Sequence, residues 1–441
     1  MLIELRVANF LSFQDETVFS MRAGKITKQH RNHVRKLAIG KVVRGGVLFG
    51  ANAAGKSNLL KALALTERMM IDNSCRCLMG KQFMMSEKVS PIISISIEYE
   101  FHGQAFCYRI DTDGSSIFVE ELNLLDTGTP ELLFSRHGLD IALGERLKGY
   151  SWYEQRTFKI DAFYLMKLME DGLWDRRAEL PESKVMLNAC RGMKQFIVID
   201  SNEPSLRAEK YYAKLQKKEF VEFLKALLHW ADMGITNVAY RKLPTHEADL
   251  IIQKSRSAIP SELKDGWLKV IYDHPAFYIL MFDKGIVSVH EICCQHGEGR
   301  LFRASDESQG TIKLIQLSSL LFQLKTSRNV WCVDEFDSRF HTVMNQMLLK
   351  WYMSEPDVKS QLIITAHDTN LLTQEIWRTD EVWFVEKDKD GKSCMKPLYS
   401  FSPRFDKKLA KGYLSNTYGA LPDIKGPDFQ TSNFKLNKEK E

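Results

Sequence analysis

The chain has 441 residues, of which 44% are hydrophobic, so it can bury a substantial core as one elaborated domain or as two to three smaller ones. Its formal net charge of +5 is small and spread along the chain, and it neither establishes nor excludes contact with nucleic acid. No apolar run approaches the roughly 20 residues of a membrane helix, and charged residues interrupt the N-terminus where a signal peptide is apolar. Eight cysteines without a disulfide-rich segment fit a reducing compartment. We expect a cytoplasmic protein without membrane contacts.

Residues 1–135 show the alternation of apolar and polar residues that is typical of half-buried strands. The clearest case runs from Ile93 to Phe101, and turns follow at His102–Gln104 and Asp113–Gly114. The pattern predicts six strands: 2–10, 17–21, 42–49, 93–101, 105–111 and 117–124. A helix is expected directly after residue 57, so this region predicts an antiparallel β subdomain beside one strand-loop-helix step.

Residues 136–300 are less periodic. Helices are expected near 161–174 and 206–231, with loops at the prolines around them. No heptad pattern is sustained, so we expect no long coiled-coil arm. The sequence predicts a mostly helical insertion here.

Residues 301–441 return to a clear pattern in which strands alternate with helices. The expected elements are a helix over 311–324, a strand over 330–333, a helix over 340–352, a strand over 362–365 and a hairpin of 382–385 with 396–399. This alternation implies a parallel sheet covered by helices. The predicted fold class is therefore α/β, with a mixed central sheet, an antiparallel β subdomain and a mostly helical insertion.

The stretch from Gly50 to Ser57 matches the phosphate-loop pattern G-x-x-x-x-G-K-[ST], and it lies between an expected strand and an expected helix. In that setting backbone N–H groups hold the phosphates of a nucleotide, Lys56 reaches the terminal phosphates and Ser57 binds magnesium. The residues expected to bind ATP are Gly50, Asn52, Gly55, Lys56, Ser57 and Asn58.

Two adjacent carboxylates, Asp334 and Glu335, follow the apolar strand expected over 330–333. Adjacent acids also occur in ordinary loops. After a phosphate loop, however, the pair predicts that Asp334 binds the magnesium ion and that Glu335 polarises the attacking water.

His367 follows the strand expected over 362–365, 32 residues after Glu335. A histidine in this place can be a core or capping residue. The order and spacing of the motifs favour the other interpretation, in which His367 contacts the γ-phosphate and senses its hydrolysis.

Ser308 lies at the expected start of a helix, 26 residues before Asp334. A serine at a helix start is usually a cap. The position also resembles the loop that an ABC-type ATPase offers to nucleotide bound by its partner subunit, and this resemblance implies that Ser308 and Gly310 contact that nucleotide in trans.

The order of these four motifs resembles that of ABC-type ATPases, which include the SMC and RecF-like proteins. More narrowly, the chain resembles the OLD-like AAA family ATPases of bacterial defence systems that lack a TOPRIM domain. The matching stretches are Asn9–Phe13, Gly50–Leu60, Glu307–Thr311, Asp334–Ser338, Asp380–Glu386 and Tyr418–Pro422. The resemblance covers approximately residues 1–135 and 300–425, and it implies an ABC-type P-loop ATPase head with an N-terminal lobe and a C-terminal lobe.

The resemblance also implies a function. It suggests an ATP-hydrolysing sensor and scaffold that forms homo-oligomers through ATP and holds a separately encoded effector, such as a TOPRIM-like nuclease, until a phage-derived trigger releases it. Two alternatives stay open. One is a RecF/SMC-like DNA-binding repair ATPase; the other is an OLD-type nuclease, for which Asp388 and Asp390 have the required Asp-x-Asp spacing.

Overall fold

The computed structural model describes residues 1–25, 30–85, 90–125, 129–154, 157–175, 180, 182–199, 218–231, 234–256, 259, 262–263, 265, 267–273, 276–303, 306–338, 340–403 and 408–421. Within these ranges, no helix has the length and apolar character needed to cross a lipid bilayer.

A six-stranded sheet forms the centre of the molecule. Its strands are β5 (Gly45–Gly50), β11 (Phe196–Ile199), β17 (Val330–Val333), β18 (Gln361–Ala366), β19 (Val382–Lys387) and β20 (Ser393–Pro397). They lie in the order β11-β17-β18-β5-β19-β20; the first five are parallel, and β20 is antiparallel to β19. Because parallel strands end at the same edge, the segments that follow β5, β17 and β18 meet there. The predicted mixed central sheet is confirmed.

The antiparallel β subdomain is a sheet of seven strands. Their bounds are β1 (Leu2–Ala8), β2 (Thr17–Ser20), β6 (Ile93–Phe101), β7 (Gln104–Thr112), β8 (Ile117–Leu124), β9 (Glu131–His137) and β10 (Asp140–Leu143), in the order β10-β9-β8-β7-β6-β1-β2. A separate hairpin joins β3 (Val34–Leu37) to β4 (Gly40–Val43). The sheet therefore extends past residue 135, where we expected it to end.

The prediction of a mostly helical insertion over 136–300 is wrong for the described part of that region. Five antiparallel strands form a third sheet there: β12 (Ile235–Lys242), β13 (Trp267–Asp273), β14 (Ala276–Asp283), β15 (Ile286–His296) and β16 (Arg300–Arg303). The apolar run Phe277–Phe282 is compatible with a strand or a helix in sequence alone. Pairing of β14 with both β13 and β15 fixes it as a strand.

Nine helices are described, and most of them cover the central sheet. Their bounds are α1 (Lys56–Asp72), α2 (Ser151–Glu154), α3 (Tyr164–Glu170), α4 (Ser183–Met193), α5 (Lys218–Trp230), α6 (Thr245–Lys254), α7 (Gln309–Thr326), α8 (Thr342–Ser354) and α9 (Leu409–Leu414). Short 3₁₀ helices cover Arg31–His33, Cys75–Leu78, Phe336–Ser338, Thr369–Leu371 and Leu398–Phe401. Residues 206–217, part of an expected helix, lie outside the described residues.

Two cores lie on opposite faces of the central sheet. Leu59 and Leu63 of α1 share one core with Leu48 of β5 and with the antiparallel sheet. Val47 and Phe49, the neighbours of Leu48, face the other core, together with residues of α7 and α8. This alternation follows from the two-residue period of a strand, and it holds α1 between the two sheets directly behind the phosphate loop.

Candidate nucleotide site

Three of the predicted motifs meet at the carboxyl edge of the central sheet. The loop Gly50–Ser57 follows β5, the pair Asp334 and Glu335 follows β17, and His367 follows β18. These three strands are parallel neighbours. Burial lowers the pKa of Lys56, and the charges of the nearby carboxylates oppose this shift. Burial and then the charge of Lys56 lower the pKa of His367. The structure therefore brings the lysine, the two acids and the histidine into one site.

The phosphate loop packs so closely against its surroundings that glycine is required at both of its ends. A Cβ atom on Gly50 would overlap the carbonyl oxygen of Val385, and one on Gly55 would overlap the hydroxyl of Ser393. Gly55 also has a φ of 112°, which disfavours residues with a side chain. Asn52 lies exposed near the tip of the loop. The loop N–H groups and the N-terminus of the 17-residue helix α1 are donors of the kind that phosphate groups bind.

Lys56 is folded back over the loop. Its Nζ donates to the carbonyl oxygens of Gly50 at 2.8 Å and Ala51 at 2.9 Å, and only 5% of the residue is exposed. Burial lowers the pKa of Lys56 to about 8, although the charges of Asp334, Asp337 and Glu335 oppose this shift. The ammonium group is thus poorly solvated and close to three acids.

We expect ATP binding at pH 8.5 to take up protons at Lys56. With a pKa of about 8 the amine is largely neutral at that pH, and a phosphate beside it favours the charged form and raises the pKa. The uptake should be about half a proton or more per site at pH 8.5 and close to none at pH 6.5, where Lys56 is charged with or without phosphate. Calorimetry in two buffers of different ionisation enthalpy measures it.

The control for this measurement is Lys56→Arg, because a guanidinium stays charged throughout the range and should abolish the uptake. Buffer-independent heats for the unmodified chain at pH 8.5 would contradict the expectation.

Two serines that are distant in sequence hold the loop in place. Ser393 Oγ donates to the carbonyl oxygen of Ala54 at 2.5 Å, and the Ser393 N–H donates to the carbonyl oxygen of Ser12 at 2.7 Å. Asn58 Nδ2 donates to Ser12 Oγ at 2.8 Å. The amide of Asn58, which we predicted to bind nucleotide, is therefore engaged with Ser12, whereas Ser57 is half-buried in the first turn of α1.

The hydroxyl of Thr365 fixes the two acids. Thr365 is fully buried near the end of β18; its Oγ1 donates to Asp334 Oδ1 at 2.5 Å and accepts the N–H of Glu335 at 2.7 Å. Asp334 is 8% exposed, and Glu335 has a φ of 47°, a strained value for a residue with a side chain. One hydroxyl thus orients the Asp334 carboxylate and stabilises the backbone conformation that directs Glu335.

Replacing Thr365 by Val should slow ATP hydrolysis about tenfold or more while ATP affinity changes little. Valine has a similar shape and suits a strand, but it leaves Asp334 Oδ1 and the Glu335 N–H without this partner, and each lost partner costs about 1–3 kcal/mol. Steady-state kinetics separates the effect on kcat from that on KM. Thr365→Ser keeps the hydroxyl and should restore most of kcat; equal loss in the Val and Ser variants would contradict a positioning role.

Asp337 connects the acidic loop with the histidine loop. Its Oδ2 accepts the N–H groups of His367 at 2.6 Å and Asp368 at 2.5 Å, while its Oδ1 is buried without a hydrogen-bond partner among the described residues. Partial desolvation and the charge of Lys56 lower the pKa of His367. The imidazole is therefore neutral at neutral pH and offers one N–H donor.

Ser308 caps helix α7. Its Oγ accepts the N–H of Thr311 at 3.1 Å, and its side chain is exposed. The neighbouring Glu307 accepts a hydrogen bond from His296 Nε2 at 2.7 Å, which fixes the loop to β15. A Cβ on Gly310 would meet only Ser308 Oγ, at 3.6 Å, so no close contact within the described chain requires glycine there. The capping role is observed, and the trans contact stays a prediction.

The residues at this edge fit a nucleotide with magnesium. Gly50 and Gly55 leave the close backbone approach that a phosphate loop needs, and Lys56 supplies the positive charge. Asp334 and Ser57 supply oxygen atoms, the ligand type that magnesium prefers. Among the described residues, no three His, Cys, Asp or Glu side chains are grouped to hold a metal ion. Magnesium at this edge would therefore take most of its ligands from phosphate and water.

Four residues of the site were missed as functional candidates: Ser12, Asp337, Thr365 and Ser393. Ser12 and Asp337 lie inside stretches that carry the family resemblance, and this resemblance was the signal that could have identified them as functional residues. Thr365 could be suspected only as a polar residue in an apolar strand. Nothing in the local sequence marks Ser393.

The fold and the nucleotide site together define the class of protein to which the chain belongs. A phosphate loop on a central parallel strand, with the acid pair and the histidine on neighbouring strands and an antiparallel sheet across α1, forms an ABC-type P-loop ATPase head. Residues 129–373, more than half of the chain, match the family described as "AAA domain, putative AbiEii toxin, Type IV TA system". The chain belongs to this family. The match includes Ser308, Asp334, Glu335 and His367, and it begins after the Gly50 loop.

Solved structures with similarity to the chain include three SMC heads. The SMC head domain from Thermotoga maritima is 13% identical, with a TM-score of 0.41 over 90% of this chain and 98% of that one. An SmcHead bound to the C-winged helix domain of ScpA is 12% identical, with a TM-score of 0.43 over 90% and 96%. An Smc head with an extended coiled coil, bound to the C-terminal domain of ScpA derived from Pyrococcus furiosus, is 12% identical, with a TM-score of 0.41 over 95% and 99%. No curated protein matches the sequence.

Proposed function

We propose that the chain hydrolyses ATP to ADP and phosphate and that ATP joins its subunits into an oligomer. The observation that carries this proposal is the convergence of Lys56, Asp334, Glu335 and His367 on one sheet edge, with Glu335 close enough for its charge to act on the Lys56 ammonium. A lysine for the phosphates and an acid for the water are the two groups that phosphoryl transfer to water needs.

The residues divide the reaction between them. Lys56 exchanges its carbonyl partners for the β- and γ-phosphates. The oxygen of the attacking water forms a bond to the γ-phosphorus while Glu335 accepts a proton from that water. The bond between the γ-phosphorus and the bridging oxygen breaks, and ADP and phosphate leave. His367, neutral and held by Asp337, donates its N–H to the γ-phosphate. Ser57 and Asp334 would hold magnesium, which would supply positive charge beside the phosphate oxygens.

The site is one half of a composite. Ser308 and Gly310 lie at an exposed helix N-terminus and contact the nucleotide of a second copy of this chain, so that ATP is sandwiched between two subunits. ATP binding then favours the oligomer, and hydrolysis weakens it.

The biological role we propose is anti-phage defence. The matched family carries the names of an AbiEii toxin and a Type IV toxin-antitoxin system. The motif stretches resemble the OLD-like ATPases without a TOPRIM domain, and the length and layout resemble AriA, the ATPase of the PARIS system. In this proposal the oligomer sequesters a separately encoded effector nuclease and releases it when a phage protein is sensed.

Co-purification tests this role. A TOPRIM-like nuclease encoded beside this chain should co-purify with the unmodified protein in the presence of ATP and be lost with Lys56→Ala, which removes the phosphate contact. Lys61→Ala, an exposed lysine of the same helix, is the matched control and should retain the nuclease. Recovery of the nuclease with Lys56→Ala at the level of the control would argue against ATP-dependent sequestration.

The alternative of an OLD-type nuclease is disfavoured by the geometry around Asp388. Its Oδ1 accepts the N–H groups of Asp390 at 2.9 Å and Lys392 at 2.8 Å, which closes the turn between β19 and β20. This carboxylate stabilises a hairpin, and a Glu from a neighbouring strand end, which a two-metal site requires, is not grouped with it among the described residues.

A further inference from the structure

Two adjoining cavities lie away from the nucleotide site. One, of about 390 Å³, is lined by residues of the β3–β4 hairpin and of the loops before β17 and β18; the other, also about 390 Å³, is lined by α4 and Trp174. His102, in the turn between β6 and β7, lines both of them. The two cavities therefore adjoin at His102, and we call the surface that lines them the His102 groove.

The His102 groove is strongly basic. Six lysine and arginine residues line it: Arg35, Lys36, Arg328, Lys359, Lys184 and Arg191. Among the described residues, none of the six has a carboxylate within ion-pair distance. Arg35 donates only to backbone carbonyls, and Arg191 lies over the ring of Trp174 at 3.7 Å. Glu100 is the one carboxylate in the described lining, and it accepts the N–H of Gly103 at 2.5 Å.

Cations without partners repel each other, and proteins normally place acids among them. The acids of this chain are numerous, 56 in all, so the single carboxylate in the described lining of the groove does not reflect composition. A groove of this charge fits a ligand that carries several negative charges in a row.

The groove also offers an aromatic surface. Trp174 is 40% exposed at one end, with Arg191 against its ring. At the centre the rings of Phe101 and His102 pack edge to face with centroids 4.4 Å apart. A line of cations with exposed aromatic rings is the combination that binds unpaired bases by stacking and their backbone by charge.

We propose that the His102 groove binds single-stranded nucleic acid through its phosphate backbone, with a base stacked on Trp174. A duplex presents its phosphates on a convex cylinder with the bases turned inward, so its bases are not available to stack on Trp174. A single strand has the flexibility to follow the groove and to turn a base onto an aromatic ring.

The groove is separate from the ATP site. Arg328 and Lys359 precede the amino ends of β17 and β18, whereas the phosphate loop and the acids lie at the carboxyl edge. Strands of four to six residues put roughly 15 Å between these edges. Changes in the groove should therefore leave ATP affinity unaltered, and the proposal does not depend on hydrolysis.

Fluorescence anisotropy with a labelled single-stranded oligonucleotide of roughly 16 nucleotides tests the proposal on the full chain. The double variant Lys36→Glu/Lys359→Glu should weaken binding about tenfold or more and reduce the slope of log K against log salt by about 1.4, since each phosphate contact contributes about 0.7. Trp174→Ala should weaken it about fivefold or more through lost stacking. ATP affinity serves as the check that both variants fold.

The matched control is Lys408→Glu/Lys411→Glu, which makes the same charge change at two exposed positions, the N-cap of α9 and its interior, and should bind as the unmodified chain does. Three results would overturn the proposal: an equal loss with the control pair, tighter binding of a duplex of the same length that Trp174→Ala does not affect, or no salt-dependent binding of the single strand. The second result would indicate a duplex-binding surface instead.

Discussion

Replacing Glu335 by Gln should reduce ATP hydrolysis by at least about 100-fold while ATP stays bound, because general-base catalysis by a positioned carboxylate contributes roughly 10²–10⁴ in rate. Gln has nearly the same shape and keeps the backbone N–H that Thr365 accepts, so the left-handed conformation at φ 47° should persist. The substitution removes the proton acceptor and leaves Lys56 and Asp334 in place. Phosphate release in single-turnover conditions measures the rate.

The same variant should accumulate the ATP-bound oligomer. If ATP is sandwiched between subunits and hydrolysis separates them, a chain that binds ATP without turnover stays assembled. Light scattering after size exclusion, with and without ATP, measures the mass. Glu375→Gln, an exposed acid paired with Lys350, is the matched control and should turn over normally. Rapid hydrolysis or an unchanged mass in Glu335→Gln with ATP would contradict the composite site.

The last third of the chain could be predicted well because its signals are local. Strand β17 has the predicted bounds, and α7 begins two residues before and ends two residues after the predicted helix. Buried parallel strands appear as short apolar runs, and the helices between them repeat at helical spacing. The predicted hairpin of β19 and β20 forms for a similar reason, with its turn at Asp390 and Gly391.

The third sheet was missed because its strands lack a local signal. Strand β14 contains seven consecutive apolar residues, which give no period. Its identity depends on β13 and β15, and these pairings form only in the folded chain. Cys293 and Cys294 are buried in β15.

The residues of the candidate site likewise include some that local sequence predicts and others that it does not. The glycines, Lys56 and the acid pair were predicted because their chemistry requires fixed spacing within one loop. Ser393 was not, because its partner Ala54 is 339 positions away, and a serine in a strand carries no mark of such a contact. Thr365 likewise gains its role only when β18 is placed beside β17. Contacts between distant segments thus set the geometry of residues that local motifs identify.

Gly50→Ala should both destabilise the chain and weaken ATP binding, although it adds a single methyl group. The added Cβ would overlap the carbonyl oxygen of Val385, which belongs to the backbone of β19 and cannot rotate away. β5 lies between β18 and β19, so one of these pairings must open. Overpacking of this kind costs about 1–3 kcal/mol, and we expect a value near the upper end because the obstacle is backbone.

The effect on ATP binding should be similar in size to the effect on stability. Gly50 is the last residue of β5 and the first of the phosphate loop, and its carbonyl oxygen accepts from Lys56. A shift of about 1 Å at this point misplaces the loop donors together, which costs about 100-fold in function. Denaturant unfolding and binding of a fluorescent ATP analogue measure the two effects. The control is Gly299→Ala, where no atom lies within 4 Å of the added Cβ, and it should change neither stability nor ATP binding. Normal ATP binding by Gly50→Ala would show that the backbone of β19 can shift to accept the added Cβ.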